Sequence, residues 1–563
     1  MGTSAPTGIR PPTDPAVPRR RGLVLAVVLV AGFMDFLDAG IVALVTPAIQ
    51  ADLDASPAVL EWVIAGYVLA FALGLITGGR LGDLFGRKRV FLIGVAGFTV
   101  ASVLCGAAVN AEMLLLARVL QGAMASIMVP QVLSIIQVSF PAENRGGPLA
   151  AYGAMAGVAN VSGPVVAGLL VESDPGGLGW RTIFLINVPV GLAVLVLGAV
   201  LIRETRSEHP AGLDVLGTLL VTSAMLLLMF PLVEGEQLGW PSWVLVMLAC
   251  SVPVFWIFGR HQAAKQRRGG FPLAAVGLFR RRAFVAGLVL HIALFAGVAG
   301  FWVVFAMYTQ LGLGFSTLQT GLTSLPWPVA ILIFSGIGVA LVNKLGRHLL
   351  SLGVLLMGIG MVALLWAVTG SAAVTSLGLA PGLALCGIGM ALVAPSLMDL
   401  VLSGTPTGDA GSASGLMSTA LQVGSALGVA LIGVVYFGSL PDHAREQAAI
   451  EAPRVRAELV LAGTPGPQAD EVVDRFRGCF VARVAGSGAQ PAECVPAADE
   501  PPQATRIVED AAQRARPATY NAAFAAGLRY EIAMFAISFL LMFLLPRRLR
   551  QQRTTRPETA PAD

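Results

Sequence analysis

Two carboxylates and one guanidinium stand where an apolar sequence offers them no water. Asp35 and Asp38 lie within the hydrophobic run 22–49, and Arg118 within the run 113–135. A charged group in hydrocarbon is costly unless it faces a protein interior, so such residues mark ion or substrate pathways. A spacing of three puts Asp35 and Asp38 on one helix face, about 5 Å apart in rise. Two carboxylates in a poorly solvated place resist double ionisation, which suits one of them to carrying a proton. Arg118 comes roughly 8 Å into a helix entered from the outside, and the acids roughly 20 to 24 Å along one rising from the inside. In a hydrocarbon core about 30 Å thick these depths coincide. If the two helices are neighbours, Arg118 can pair with a carboxylate in one protonation state and be freed in the other. The competing readings are an acid that only caps or bonds to a neighbouring helix, and an arginine that snorkels to the outer interface. Gln121, one turn inward, is a candidate hydrogen-bonding partner.

The elements that must position these groups are membrane helices. Of 563 residues, 56% are hydrophobic and 12% charged, against roughly 25% charged in soluble domains. Runs of spanning length fall at 22–49, 59–79, 90–109, 113–135, 148–171, 182–202, 215–233, 242–259, 283–308, 318–342, 349–368, 374–400, 412–437 and 521–545. This predicts an all-α integral membrane protein of fourteen transmembrane helices. Basic residues alternate with acidic ones from connector to connector: Arg19 to Arg21, Arg80 to Arg89, Arg203 and Arg260 to Arg282 lie on one side, Asp52, Glu112, Glu172 and Glu234 on the other. The positive-inside rule then places both termini in the cytoplasm of a cell inner or plasma membrane. The net charge of +4 resides in these loops, which excludes nucleic acid as a partner. No G-x-x-x-x-G-K-[ST] phosphate loop supports ATP-driven pumping. No C-x-x-C metal pattern occurs, and the loops hold no nucleophile and base set. The expectation is a non-enzyme with no metal and no cofactor other than a proton gradient.

Two further patterns suggest moving parts. Gly79, Asp83, Gly86, Arg87 and Lys88 form a basic, glycine-punctuated turn between two apolar runs. A carboxylate beside several cations there can bridge a neighbouring helix in one conformation and release it in another, as a conformational latch. Gly157, Gly163, Pro164 and Gly168 interrupt the run 148–171. Proline removes a backbone bond and glycine allows close approach, so a kinked gate helix is expected.

These motifs resemble those of the major facilitator superfamily, in particular its fourteen-helix drug:proton antiporter group of QacA/EmrB type. Gly79 to Arg89 resembles the superfamily's cytoplasmic loop motif, Arg118 to Gly122 its proton-coupling motif, and Ala159 to Gly168 its antiporter motif. Asp38 to Pro47 is similar to the group's motif in the first span, with Gly40 and Ala43 at positions where polar residues are usual. The resemblance implies two six-helix halves around a cavity of alternating access, with two extra linker helices. The corresponding division is a cytoplasmic tail 1–21, an N-terminal half 22–202, linker helices and a basic loop 203–282, a C-terminal half 283–545, and a cytoplasmic tail 546–563. It implies proton-coupled export of amphipathic small molecules, as in multidrug or antibiotic efflux. The departures in the first span leave export of an endogenous lipid or secondary metabolite as the alternative.

Candidate cavity residues are Trp62, Tyr67, Gln121, Gln131, His291, Trp302, Gln319, Trp327 and Gln422. The segment 438–520 is expected outside, with amphipathic stretches at 442–460 and 469–484 that suggest a helical hairpin or cap. It holds Cys479 and Cys494, which in an oxidising compartment either pair or remain two thiols. The expected partners are the bilayer, protons and a small amphipathic molecule or lipid, acting on a monomer.

Overall fold

The computed structural model describes residues 16–140, 146–206, 214–235, 238–270, 272–273, 276–370, 374–402, 410–485, 494 and 501–544. Among these the secondary structure is helical and no strand occurs. The first part of the chain forms α1 (Ala16–Leu53), α2 (Pro57–Phe85), α3 (Arg87–Gly106), α4 (Ala111–Ser139), α5 (Gly146–Ser173), the short α6 (Thr182–Leu185) and α7 (Asn187–Leu201). Then come α8 (Val215–Glu234), α9 (Ser242–Arg267), α10 (Arg282–Met307), α11 (Thr317–Ser324), α12 (Pro326–Leu345), α13 (Arg347–Gly370) and α14 (Ser376–Leu402). The last three are α15 (Ala410–Leu461), α16 (Gly466–Ala485) and α17 (Pro502–Leu541).

Among the described residues, eleven helices are long and apolar enough to cross a membrane, or twelve if the two segments of α2, bent by 47° against each other, count as one span. Where two further spans are expected, the apolar helices Ser162–Ser173 and Val215–Pro231 are shorter than a span. Helix starts follow local chemistry. Ser56 accepts a bond from the Val59 N–H ahead of Pro57, and Asn110 accepts one from the Met113 N–H at 2.8 Å, which satisfies donors that a helix start leaves open. Between α2 and α3 the chain turns at Gly86 with φ 106°, a backbone conformation that favours glycine.

The helices up to α7 pack around a core of Val28, Phe91, Phe98, Met128 and Ile135. A larger core joins α1 and α2 to α10, α13, α14, α15 and α17 through Ile41, Phe284, Phe301, Met357 and Phe524. Helix α8 packs on α2 and α15 through Met225 and Met229, beside Ala65 and Val423. Its neighbour α9 buries little beyond Val244, Ser251 and Gln262.

Three boundaries differ from the sequence reading. Helix α1 begins at Ala16, inside the expected tail 1–21. The run 318–342 is divided at Leu325 into α11 and α12. The largest difference concerns 438–520: α15 runs 52 residues without a break through Pro441 and Pro453, and α17 starts at Pro502, far ahead of 521. The two helices and α16 form a three-helix cap around Ala444, Ala448, Val455, Val472, Phe476, Ala504 and Ala511. Spacings of three, four and seven along α15 supply one continuous apolar face, and its burial outweighs the backbone bonds that the prolines remove.

Candidate functional site

The acids of α1 and the cation of α4 meet inside the bundle. Asp38 and Arg118 are 1% exposed each, and Arg118 Nη1 donates to Asp38 Oδ2 at 2.6 Å. The other Asp38 oxygen accepts from Gln121 Nε2 at 3.0 Å and Asn187 Nδ2 at 2.9 Å. Arg118 also donates from Nη1 to Gln121 Oε1 and from Nε to the Val63 carbonyl, and its guanidinium lies over the Tyr67 ring at 4.1 Å. Ser102 accepts from Gln121 at 2.9 Å. Asp35 stands beside this network and accepts from the Tyr67 hydroxyl at 2.6 Å. Five helices thus supply one hydrogen-bonded set in which both oxygens of the buried carboxylate are bonded, which offsets part of the cost of burying the pair. Loss or gain of one proton on Asp38 changes what Arg118 can hold.

The other expected residues divide by place. Gln131 does not join the acids: it donates to the Gly78 carbonyl at 2.8 Å and lies against Gly82, tying α4 to α2. His291 is buried against Phe295, and among the described residues neither ring nitrogen has a partner. Trp302 and Trp327 gather with Phe301 into an aromatic cluster with centroids 5.1 to 5.3 Å apart. Trp62 packs toward Phe230 of α8. Gln319 stands exposed in the first turn of α11, whose start Ser316 caps, so it is at a helix end and not at mid-bundle. The Gln422 side chain lies outside the described residues.

Along α5, Gly168 meets the Leu318 backbone, and the Pro164 carbonyl meets Gly321. Gly163 sits near Leu37 of α1, and Gly157 is also within this helix. The helix therefore touches α11 where side chains are smallest. In the α2–α3 turn, Asp83 pairs with Arg87 at 3.0 Å. The turn is held by the segment after α7: Glu204 accepts from the Lys88 and Arg89 N–H groups, and Lys88 Nζ reaches the Ala199 carbonyl at 2.6 Å. Arg80 donates to the Pro272 carbonyl. In this conformation Asp83, near the end of α2, bridges across the turn to the first residue of α3.

At the same end Asp214 caps α8 and holds α9 through His261, Gln262 and Lys265. Burial pushes its carboxyl up, but the hydrogen bonds from His261, Gln262, Lys265 and the Gly217 N–H prevail and hold it well below the usual carboxylate range.

Sequence reasoning passed over three groups. Asn187 opens α7 and completes the Asp38 network. Glu61 in α2 is 6% exposed and faces Gly433 of α15. Glu531 in α17 is wholly buried against Gly297, and among the described residues neither carboxylate oxygen has a partner. Each was visible as a polar residue in an apolar helix, the same signal that marked Asp35 and Asp38. Among the described residues no group of His, Cys, Asp and Glu could hold a metal ion.

Membrane-length helices packed around a buried, hydrogen-bonded ion pair make this a multi-pass membrane protein. Residues 28–429 match the sequence profile of the Major Facilitator Superfamily, and the chain belongs to that family. It is 38% identical over 537 residues to a protein named a probable actinorhodin transporter from Streptomyces coelicolor, covering 95% of this chain and 93% of that one. It is 33% identical to the tetracenomycin C resistance and export protein of Streptomyces glaucescens, over 81% of this chain and 86% of the relative. It is 32% identical to the multidrug resistance protein Stp of Mycobacterium tuberculosis, over 72% and 73%. The fold is similar to that of a bacterial homologue of the human lysosomal transporter Spinster in an inward-facing, unoccupied conformation. That match has a TM-score of 0.59 at 16% identity, over 93% of this chain and 98% of the other.

Proposed function

We propose that this protein is a proton-coupled antiporter that exports amphipathic small molecules by alternating access. The buried Asp38–Arg118 pair, completed by Gln121 and Asn187, carries the reading. Protonation of Asp38 from outside removes the charge that Arg118 holds, the network rearranges, and release of the proton inside restores the pair. Asp35, bonded to Tyr67 beside it, is a second acid in the same relay. The gate helix α5 and the turn at Asp83 couple this local change to the two ends of the molecule. Relatives that are named for export of, or resistance to, antibiotics support an amphipathic substrate.

The same reading has fourteen spans, in two six-helix halves at 22–202 and 283–545. The linker pair is α8 and α9, both termini are cytoplasmic in the plasma membrane, and the cap is outside. The protein acts as a monomer. Proteoliposomes with an imposed pH gradient test the coupling. Wild type accumulates an amphipathic drug only when the gradient is present, and Asp38→Asn abolishes the response. Undiminished gradient-driven transport by Asp38→Asn together with Asp35→Asn rejects the proton relay. A lipid arm in the same assay separates drug export from export of an endogenous lipid.

A further inference from the structure

A cavity of about 240 Å³ lies where the cap meets the bundle. Its walls come from the ends of α1 and α10 and from α15, α16 and α17, and its apolar lining includes Tyr436, Phe437, Phe480 and Tyr520. Two arginines, Arg483 of α16 and Arg516 of α17, complete it. Several other cap arginines pair with acids: Arg445 with Asp442, Arg454 with Glu458, Arg456 with Asp470, Arg477 with Asp474, and Arg514 with Glu451 and Glu458. Arg483 and Arg516 form no ion pair among the described residues, although both stand exposed at this cavity. Tyr436, itself fully buried, backs the cavity wall.

The position is informative too. Gln310, just after α10, donates to the Leu44 carbonyl of α1 and closes the seam between those helices. The cavity, lined by Pro47 and Leu311, is next to that seam on the cap side. Aromatic walls accept a flat apolar body, and two unpaired guanidinium groups select a carboxylate or similar anion by charge-assisted bonds. We propose that this cavity is a release site for anionic aromatic amphiphiles leaving the α1–α10 seam. The inference rests on the export reading and adds to it a substrate charge and a second station.

Binding to the full-length protein in phosphatidylcholine nanodiscs tests it, with anthraquinone-2-carboxylate and its neutral carboxamide as probes in equilibrium dialysis. The carboxylate is expected to bind about tenfold tighter than the amide. Arg483→Gln with Arg516→Gln lowers carboxylate affinity about tenfold and leaves the amide within about twofold. Arg445→Gln with Arg477→Gln, on another face of the cap, changes neither. Equal binding of the two probes, an unaltered carboxylate affinity in the Arg483/Arg516 variant, or displacement of the probe by phosphatidylglycerol overturns the proposal. Asp38→Asn keeps the two readings apart. It is expected to lose gradient-driven transport and retain probe binding, so transport that ignores the gradient while the Arg483/Arg516 effect persists counts against antiport alone.

Discussion

The interiors of α1 with α4 and of α10 with α17 treat buried polar groups in opposite ways. In the first, Asp38 accepts from Arg118, Gln121 and Asn187, and every polar atom of the carboxylate is satisfied. In the second, Glu531, His291 and Ser538 are buried with unpartnered polar atoms, amid Phe301, Phe305, Phe524 and Phe535. A bonded network can hold a charge, and its members must move together when that charge changes. An isolated buried acid has no counter-charge to trade, so its surroundings favour whichever form needs none. In the proposed antiport, the charge-dependent step then belongs to the N-terminal part, and the C-terminal part is the apolar surface against which it works.

Breaking the network should give the largest effect. Arg118→Leu leaves Asp38 buried and unpaired and is expected to cost about 3–5 kcal/mol. Arg118→Leu combined with Asp38→Leu should recover most of that stability, because a buried pair replaced by apolar groups is often neutral, while gradient-driven transport stays absent. Thermal unfolding in detergent, measured beside transport, separates the two. Next in size is the cap. Cys479 and Cys494 are joined by a disulfide across 15 residues, and Cys479→Ser should weaken local cap stability by up to about 3 kcal/mol. Limited proteolysis of α16 reads this, and Asp38-dependent transport in the same variant should persist.

The turn at Asp83 should give less. The partly exposed Asp83–Arg87 pair contributes up to about 1 kcal/mol, so Asp83→Asn is expected to shift the balance of inward and outward states by about fivefold at most, with the substrate profile unchanged. Cysteine accessibility from each side of the membrane measures that balance. The smallest effect is expected at Glu531. Glu531→Gln keeps the shape and replaces a carboxyl group that has no partner among the described residues, so transport should stay within about twofold. A transport-dead Glu531→Gln erases the contrast and makes both interiors proton-handling.

The Asp38 site was legible because a charge in an apolar helix is a strong signal, and helix rise placed Arg118 at the same depth. Which groups completed the site was not legible. Asn187 lies 149 residues from Asp38 along the chain, and nothing local tells an amide that reaches an acid from one that packs. Glu531 carried the same signal as Asp38, but Arg118 directed attention to α1 alone. In the cap the amphipathic stretches were readable, whereas their continuity with the spans was hidden by Pro441, Pro453 and Pro517. Proline predicts interruption from local chemistry, and the cap core that overrides it is assembled from three segments distant in sequence.

The unbroken run of α15 from the bundle into the cap has a mechanical meaning. From Phe437 to Leu461 the helix extends roughly 36 Å beyond the end of its apolar run. A tilt of about 10° at its base would sweep the far tip through roughly 6 Å by simple leverage over that length. In the proposed alternating-access cycle the cap is thus a pointer fixed to the part that carries α15, and a fluorophore pair between the cap tip and the end of α1 would report each cycle without touching the cavity.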